Sequence, residues 1–164
     1  MDVIERAITG FPLFVVDSNN TSGVNFQWNG SSLIRPDMIS DPNKPGGGAG
    51  CPTQVHTLTH WFNPCAFAEP AAGELGDAPR APVSGPRFVN TDMSFVKHFA
   101  LPYEGMRVDF RAEFFNLFNH PHFFLPGSSG VSGMQDINAP SSFGVVSTTL
   151  NDPRFVQLAL KLIF

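Results

Sequence analysis

The last eleven residues, Arg154 to Phe164, alternate strictly in character and constrain the fold more than any other stretch. Successive side chains of a strand point to opposite faces. Val156, Leu158, Leu160, Leu162 and Phe164 therefore share one face, which is wholly apolar. Phe155, Gln157, Ala159, Lys161 and Ile163 share the other. A strand of about ten residues is also the length that crosses a bilayer when tilted inside a barrel. The edge strand of a soluble sandwich would alternate just as well, so periodicity alone leaves two readings open.

Two further strands can be read upstream. Met106, Val108, Phe110, Ala112 and Phe114 alternate with Arg107, Asp109, Arg111 and Glu113. Four successive charges on one face cannot be a buried core. They line either external water or the polar lumen of a barrel, where acid and base pair. Between Val89 and Phe99, one face carries Val89, Thr91, Met93 and Phe95, and the other Asn90, Asp92, Ser94 and His98. Val96 is an exception, and Lys97 falls on the apolar face near the strand end, where its stem can snorkel to an interface. Ala100–Gly105, punctuated by Pro102 and Gly105, reads as a short turn between these strands. A weaker strand spans Val3 to Val16, interrupted by Gly10 and Pro12.

The connections are as telling as the strands. Asp17 to Arg87 holds nine glycines and nine prolines with no sustained period, and Asn116 to Pro153 is irregular apart from a short extended piece at Phe143–Thr149. Long, short, long is the rhythm of an outer-membrane barrel with long extracellular loops and short periplasmic turns. Compact soluble domains seldom carry structureless connections of this length. No apolar run approaches the roughly 18 residues of a membrane helix. Hydrocarbon leaves a closed barrel as the other spanning solution. Net charge is −4 with no basic cluster, which excludes nucleic acid as an expected partner. The first ten residues lack the basic start and apolar centre of a secretion signal. Four or five strands also fall short of the smallest barrels, of about eight. The expectation is that the chain is the tail of a longer exported protein.

Four phrases stand in order: Trp61-Phe-Asn-Pro-Cys-Ala-Phe67, Arg111-Ala-Glu-Phe-Phe-Asn-Leu-Phe-Asn-His-Pro121, Phe143-Gly144, and Asn151-Asp-Pro-Arg154 leading into the terminal strand. Together they resemble the C-terminal end of TonB-dependent outer-membrane receptors, in particular the Oar-like group with a carboxypeptidase-regulatory-like N-terminal domain, abundant in Acidobacteria. The resemblance implies an all-β, antiparallel fold in which residues 1–164 form four or five strands of a barrel of about 22. The plug would lie elsewhere, and contact with TonB would run through an N-terminal part absent from this chain. It implies a Gram-negative outer-membrane location, contact with outer-membrane lipid and with the rest of the parent barrel, and carriage of a ligand by that parent. It also implies that Leu158, Leu160, Leu162 and the terminal Phe164 act as a recognition signal for the barrel-assembly machinery.

The remaining motifs point to no chemistry. Cys51 and Cys65 share the first long connection, and in an oxidising exterior a disulfide closing a loop of about 15 residues contributes about 3 kcal/mol. Unpaired thiols, or a metal pair completed by His56 and His60, are the alternatives, although the spacing is not that of zinc fingers or ribbons. His120-Pro-His122 invites a metal or catalytic role, but its place directly after a strand favours a structural one. Arg107, Asp109, Arg111 and Glu113 fit a lumen-facing ion-pair ladder better than an acid–base centre. No nucleophile elbow, phosphate loop or His-Glu-x-x-His occurs, so no catalytic residue, cofactor or metal is expected. Asn19–Thr21 and Asn29–Ser31 match glycosylation acceptors by chance. The rival architectures are a soluble β-sandwich module binding carbohydrate or protein through its loop aromatics, and a small hydrolase using scattered His and Glu.

Overall fold

The computed structural model describes residues 1–164 except 20, 21, 25, 26, 29, 30, 33, 104 and 128–132, and describes residues 27, 28, 31 and 32 by backbone alone. The strands in chain order are β1 (Asp2–Ile8), β2 (Pro12–Val16), β3 (Gln27–Trp28), β4 (Ser31–Ser32), β5 (Asp37–Met38), β6 (Phe67–Ala68), β7 (Val83–Ser84), β8 (Phe88–Ala100), β9 (Arg107–Phe115), β10 (Met134–Asp136) and β11 (Phe155–Ile163). Among the described residues no helix is long and apolar enough to cross a membrane, which says nothing about strands. The chain divides into two compact units. One holds Met1–Thr9, Arg87–His122 and Thr149–Phe164; the other holds Gly10–Pro86 and Phe123–Thr148.

The first unit is a four-stranded antiparallel sheet in the order β1-β8-β9-β11. Register determines which side chains share a face, because directly paired residues lie on the same side. Met93, Phe114 and Val156 form one row, extended to Val3 on β1. Phe95, Ala112 and Leu158 form the next, then Lys97, Phe110 and Leu160, then Phe99, Val108 and Leu162. This face is apolar except for Lys97 in these rows. The opposite face reads Ser94, Glu113, Gln157; then Val96, Arg111, Ala159; then His98, Asp109, Lys161; then Ala100, Arg107, Ile163. The turn between β8 and β9 is closed by Leu101 N donating to Met106 O at 3.1 Å and Met106 N donating to Tyr103 O at 3.2 Å.

Alternation is therefore not a prelude to a buried core. Leu158 is 64% exposed, Leu160 74% and Phe164 93%. Large aliphatic side chains left open in a continuous row mark a surface meant for another medium. For a sheet of this alternation and strand length, that medium is lipid.

The second unit shows that an irregular backbone can still fold. The weak strand expected over Val3–Val16 is two strands in two units. A Cβ at Gly10 would stand 1.9 Å from Gly85 O, so only glycine allows that approach, and Gly85 N donates to Phe11 O at 2.7 Å. Beyond this break β2 pairs antiparallel with β7 and parallel with β10. Leu13, Val15, Phe62, Ala66, Phe67, Ala78, Val83 and Phe143 form a core. Phe62, Phe67 and Phe143 meet edge to face, with centroids 5.0 to 6.0 Å apart, a geometry worth about 0.5–1.5 kcal/mol per pair beyond burial. Phe143–Thr149, expected as an extended piece, begins instead as a turn whose Phe143 and Val146 are buried.

Register selects the position that best tests the lipid face. Leu158 pairs with Ala112, which pairs with Phe95, so its row is wholly apolar, whereas the Leu160 row already contains Lys97. Leu158→Arg should destabilise the assembled protein by about 2–4 kcal/mol, while Gln157→Arg on the opposite face should be tolerated. Unfolding of the membrane-inserted protein, followed by its heat-dependent gel mobility, measures both; equal losses would place lipid on neither face.

Candidate functional site

The polar face of the sheet gathers the charges that the sequence placed there. Arg111 Nη2 lies 2.7 Å from Glu113 Oε1, Arg107 Nε 3.4 Å from Asp109 Oδ1, and His98 Nδ1 2.5 Å from the same oxygen. Lys161 is the register partner of Asp109 on β11. Arg107, Asp109, Arg111 and Glu113 thus pair along β9, acid beside base. Pairs this open to solvent contribute little stability. Their effect is to make one face compatible with water.

At the β1–Ile8 end of the sheet, the same face opens into a cleft of about 370 Å³ lined by Phe88, Asn90, Asp92, Phe115, Phe155 and the Asn151–Pro153 segment. Its floor is held by asparagines. Asn116 leaves β9 with φ +51°, a left-handed conformation that asparagine tolerates better than most residues. Its backbone N–H donates to Asp92 Oδ1 at 2.8 Å, and Asn90 Nδ2 donates to the same oxygen at 2.9 Å. The Asn116 side chain donates to the carbonyls of His120 and Asp152, both at 3.2 Å, and accepts from His120 N at 3.0 Å. Leu117 N donates to Thr91 O at 2.9 Å. Asn119, also left-handed at φ +54°, accepts from Arg154 N at 2.9 Å. Asn151 accepts from His122 N at 2.7 Å and donates to His120 O at 3.1 Å. Two of the four sequence phrases, Arg111–Pro121 and Asn151–Arg154, are thereby laced into one knot that ties the ends of β8, β9 and β11.

His122 belongs to this knot rather than to a reactive centre. Its ring stacks on Phe88 with centroids 4.3 Å apart, and among the described residues its Nε2 has no hydrogen-bond partner. Burial holds its imidazole below the ordinary range, a hydrogen bond to the Val89 backbone acts in the opposite direction, and the neighbouring His120 charge lowers it further. A folded-state value below the unfolded one makes this contribution to stability fully present above roughly pH 6.5. It is lost as pH falls through the lowered value.

The other two phrases meet in the second unit. Trp61 N donates to Gly144 O at 2.8 Å, Trp61 Nε1 to Ser84 O at 2.8 Å, and Gly144 N to Gln135 Oε1 at 3.0 Å. Gly144, at φ +74°, lies against the Phe62 ring. Cys51 and Cys65 are joined by a disulfide with Cα atoms 5.8 Å apart, beside Asn63, whose Oδ1 accepts from Cys65 N at 3.0 Å. With both sulfurs engaged, a metal pair with His56 and His60 has no thiolate to use, and His56 instead packs its ring edge-on to Trp61 at 5.3 Å. Both glycosylation-like tripeptides include residues outside the described set. Asp92, Asn116, Asn119 and Asn151 are the residues that sequence reasoning passed over as actors. Their signal was available in the repeated Asn of the strand-end phrases.

An antiparallel sheet with one lipid-compatible face, one paired polar face and short-turn, long-connection alternation defines an outer-membrane β-barrel protein. The sequence pattern of the family described as Outer membrane beta barrel domain matches residues 1–157, and the chain belongs to that family. Its location is the outer membrane. Searches of curated proteins and of solved structures found no match. The soluble sandwich gives way to this assignment.

Two expected outcomes follow from the geometry. Asn116→Ala removes three part-buried hydrogen bonds, about 1–3 kcal/mol in all, and forces alanine into a left-handed conformation at about 1–2 kcal/mol more. Asn116→Gly incurs only the first loss. Thermal unfolding of the inserted protein should therefore rank native above Gly above Ala, and three equal values would remove the knot from the account. For Cys51 and Cys65, peptide mapping of the exported protein without reductant should recover one linked pair. Complete alkylation of both thiols in denaturant alone would show that the bridge does not form.

Proposed function

We propose that this chain is the C-terminal part of a TonB-dependent, Oar-like receptor barrel that carries a ligand across the outer membrane. What carries this reading is the pairwise meeting of the four phrases that give the resemblance, two in the strand-end knot and two in the aromatic core. A sequence likeness that maps onto separate, mutually bonded structural devices is harder to obtain by chance than four scattered matches. The membrane sheet also supports it. Four strands with open outer edges need further strands before every backbone group is satisfied. Further barrel strands, a plug and the segment that meets TonB belong to the parent, and ligand choice rests with plug and loops. This chain takes no catalytic part and needs no cofactor.

Leu158, Leu160 and Leu162 lie on the open edge strand β11 and Phe164 directly follows it, all four of them exposed. In the proposed parent they are read by the barrel-assembly machinery before closure. Loss of Phe164 removes burial worth at most about 1.5–3 kcal/mol, little against a closed barrel. The test uses the parent in its own bacterium. Site-specific photo-crosslinking should link its N-terminal segment to TonB. Deleting Phe164 should lower the amount reaching the outer membrane while leaving the heat resistance of the inserted fraction intact. A reading frame that begins at Met1 with no barrel strands upstream would overturn the receptor assignment, and normal yield with lowered heat resistance would reduce Phe164 to a packing residue.

A further inference from the structure

Lys97 is the anomaly of the apolar face. It lies on β8 opposite Phe110, which is opposite Leu160, and the rows on either side are Phe95–Ala112–Leu158 and Phe99–Val108–Leu162. Its side chain is exposed and forms no ion pair among the described residues. The other charge on that face, Glu5, is opposite Thr91. Six residues along β8 separate the two, or about 20 Å at about 3.3 Å per residue. A strand face turned to hydrocarbon does not tolerate such a charge unless its head reaches a polar layer.

Depth decides where that head goes. Ala100 ends β8 three residues beyond Lys97, about 10 Å along the strand, or about 7 Å along the membrane normal at a tilt of about 45°. The lysine stem can cover most of that by snorkelling. Phe99 stands at the same end of the apolar face, and beyond it is the exposed Tyr103, a ring type that gathers at a membrane–water boundary. At that level the anion within reach of an outward-facing ammonium is a lipid headgroup phosphate.

We propose that Lys97 binds the phosphate of an anionic phospholipid in the leaflet on the side of the Leu101–Met106 turn. The ammonium donates to the phosphate oxygens, while Phe95 and Phe99 flank the acyl chains. The proposal rests on the barrel reading above, in which this short turn is periplasmic, so the lipid is a phospholipid of the periplasmic leaflet.

The test takes the full assembled protein from the outer membrane into mild detergent and titrates it with phosphatidylglycerol, followed by native mass spectrometry. Lys97→Gln should weaken phosphatidylglycerol binding about fivefold, the effect of one basic residue near an anionic surface. Lys97→Arg should retain it, and Lys161→Gln, on the polar face, should leave it unchanged. Excess inorganic phosphate should not displace the lipid; displacement would assign the site to the free ion. Equal phosphatidylglycerol binding by the native protein and Lys97→Gln overturns the site itself. A separate arm labels Tyr103→Cys in intact cells with a membrane-impermeant maleimide. Protection there supports the periplasmic leaflet, and labelling would overturn the orientation on which the leaflet assignment rests, whatever the lipid titration gives.

Discussion

Hydrocarbon offers no partner to an unpaired N–H or C=O, so each backbone group of a spanning strand must be bonded to a neighbouring strand. In the sheet β1-β8-β9-β11, β9 is paired on both sides, whereas β8 meets β1 from Phe88 to Ser94 and β9 from Met93 to Ala100. The outward edges of β1 and β11 are where the rule is still to be met. Everything else about the sheet follows from keeping those ladders in register. A slip of one residue would turn Leu158, Leu160 and Leu162 onto the polar face and send Gln157 and Lys161 into lipid. Register is therefore the quantity the rest of the protein must protect.

At one end of the sheet, protection is cheap. β8 and β9 are joined by a turn of a few residues, and a short turn fixes register by itself. The other end is harder, because β9 and β11 are separated by the long connection Asn116 to Arg154. Loop closure over that distance leaves the strand ends free to slide. The knot of Asn116, Asn119 and Asn151 answers this need. Asn116 and Asn151 use both carbonyl and amide, and Asn119 its carbonyl. The bonds from Asn116 to Asp152 O, from Asn151 to His120 O and from Arg154 N to Asn119 form only when the strand ends stand opposite each other. Two of them turn the chain in a left-handed conformation while doing so. His122 and Phe88 close the space beside them with an apolar stack. The cleft above this floor is a by-product of the same turn, since the chain must swing away from the sheet to enter the connection.

The membrane sheet was legible because its order is local and periodic. The bounds of β8, β9 and β11 fall within about a residue or two of the alternating runs, the ordinary uncertainty of strand ends. The pairing of Arg111 with Glu113 could be anticipated for the same reason. What stayed illegible depends on contacts between residues far apart in the chain. The core of the second unit joins Leu13, Phe62 and Phe143, which no window of sequence brings together. The parallel pairing of β2 with β10 joins Phe14 to Met134 across more than a hundred residues. Proline and glycine marked that region as loop, correctly for its backbone, but they say nothing about burial. The division of Val3–Val16 depended on Gly85, seventy-five residues beyond Gly10, and so could appear only as a weakness in the pattern. The asparagine knot lay between these cases: the residues were visible, but their partners were not.

The unusual aromatic usage, seventeen Phe against two Trp and one Tyr, has a physical cause in this division of environments. A phenyl ring has no polar handle, so it can enter lipid or a dry core without owing a hydrogen bond, whereas buried indole and phenol groups need one. Phe95, Phe99, Phe110 and Phe114 take the lipid-compatible face. Phe62, Phe67 and Phe143 build the second core. Phe88, Phe115 and Phe155 line the cleft. The tyrosine, Tyr103, is exposed in the short turn, and Trp61 reaches Ser84 O to satisfy its N–H. Mean hydropathy nevertheless stays at −0.02, because the apolar rows of the spanning strands are offset by the charged and polar residues of the other face and of the long connections. A bulk average cannot distinguish such a chain from a water-soluble one. The order of residues can, since a single phase shift between the two faces is what separates lipid from water.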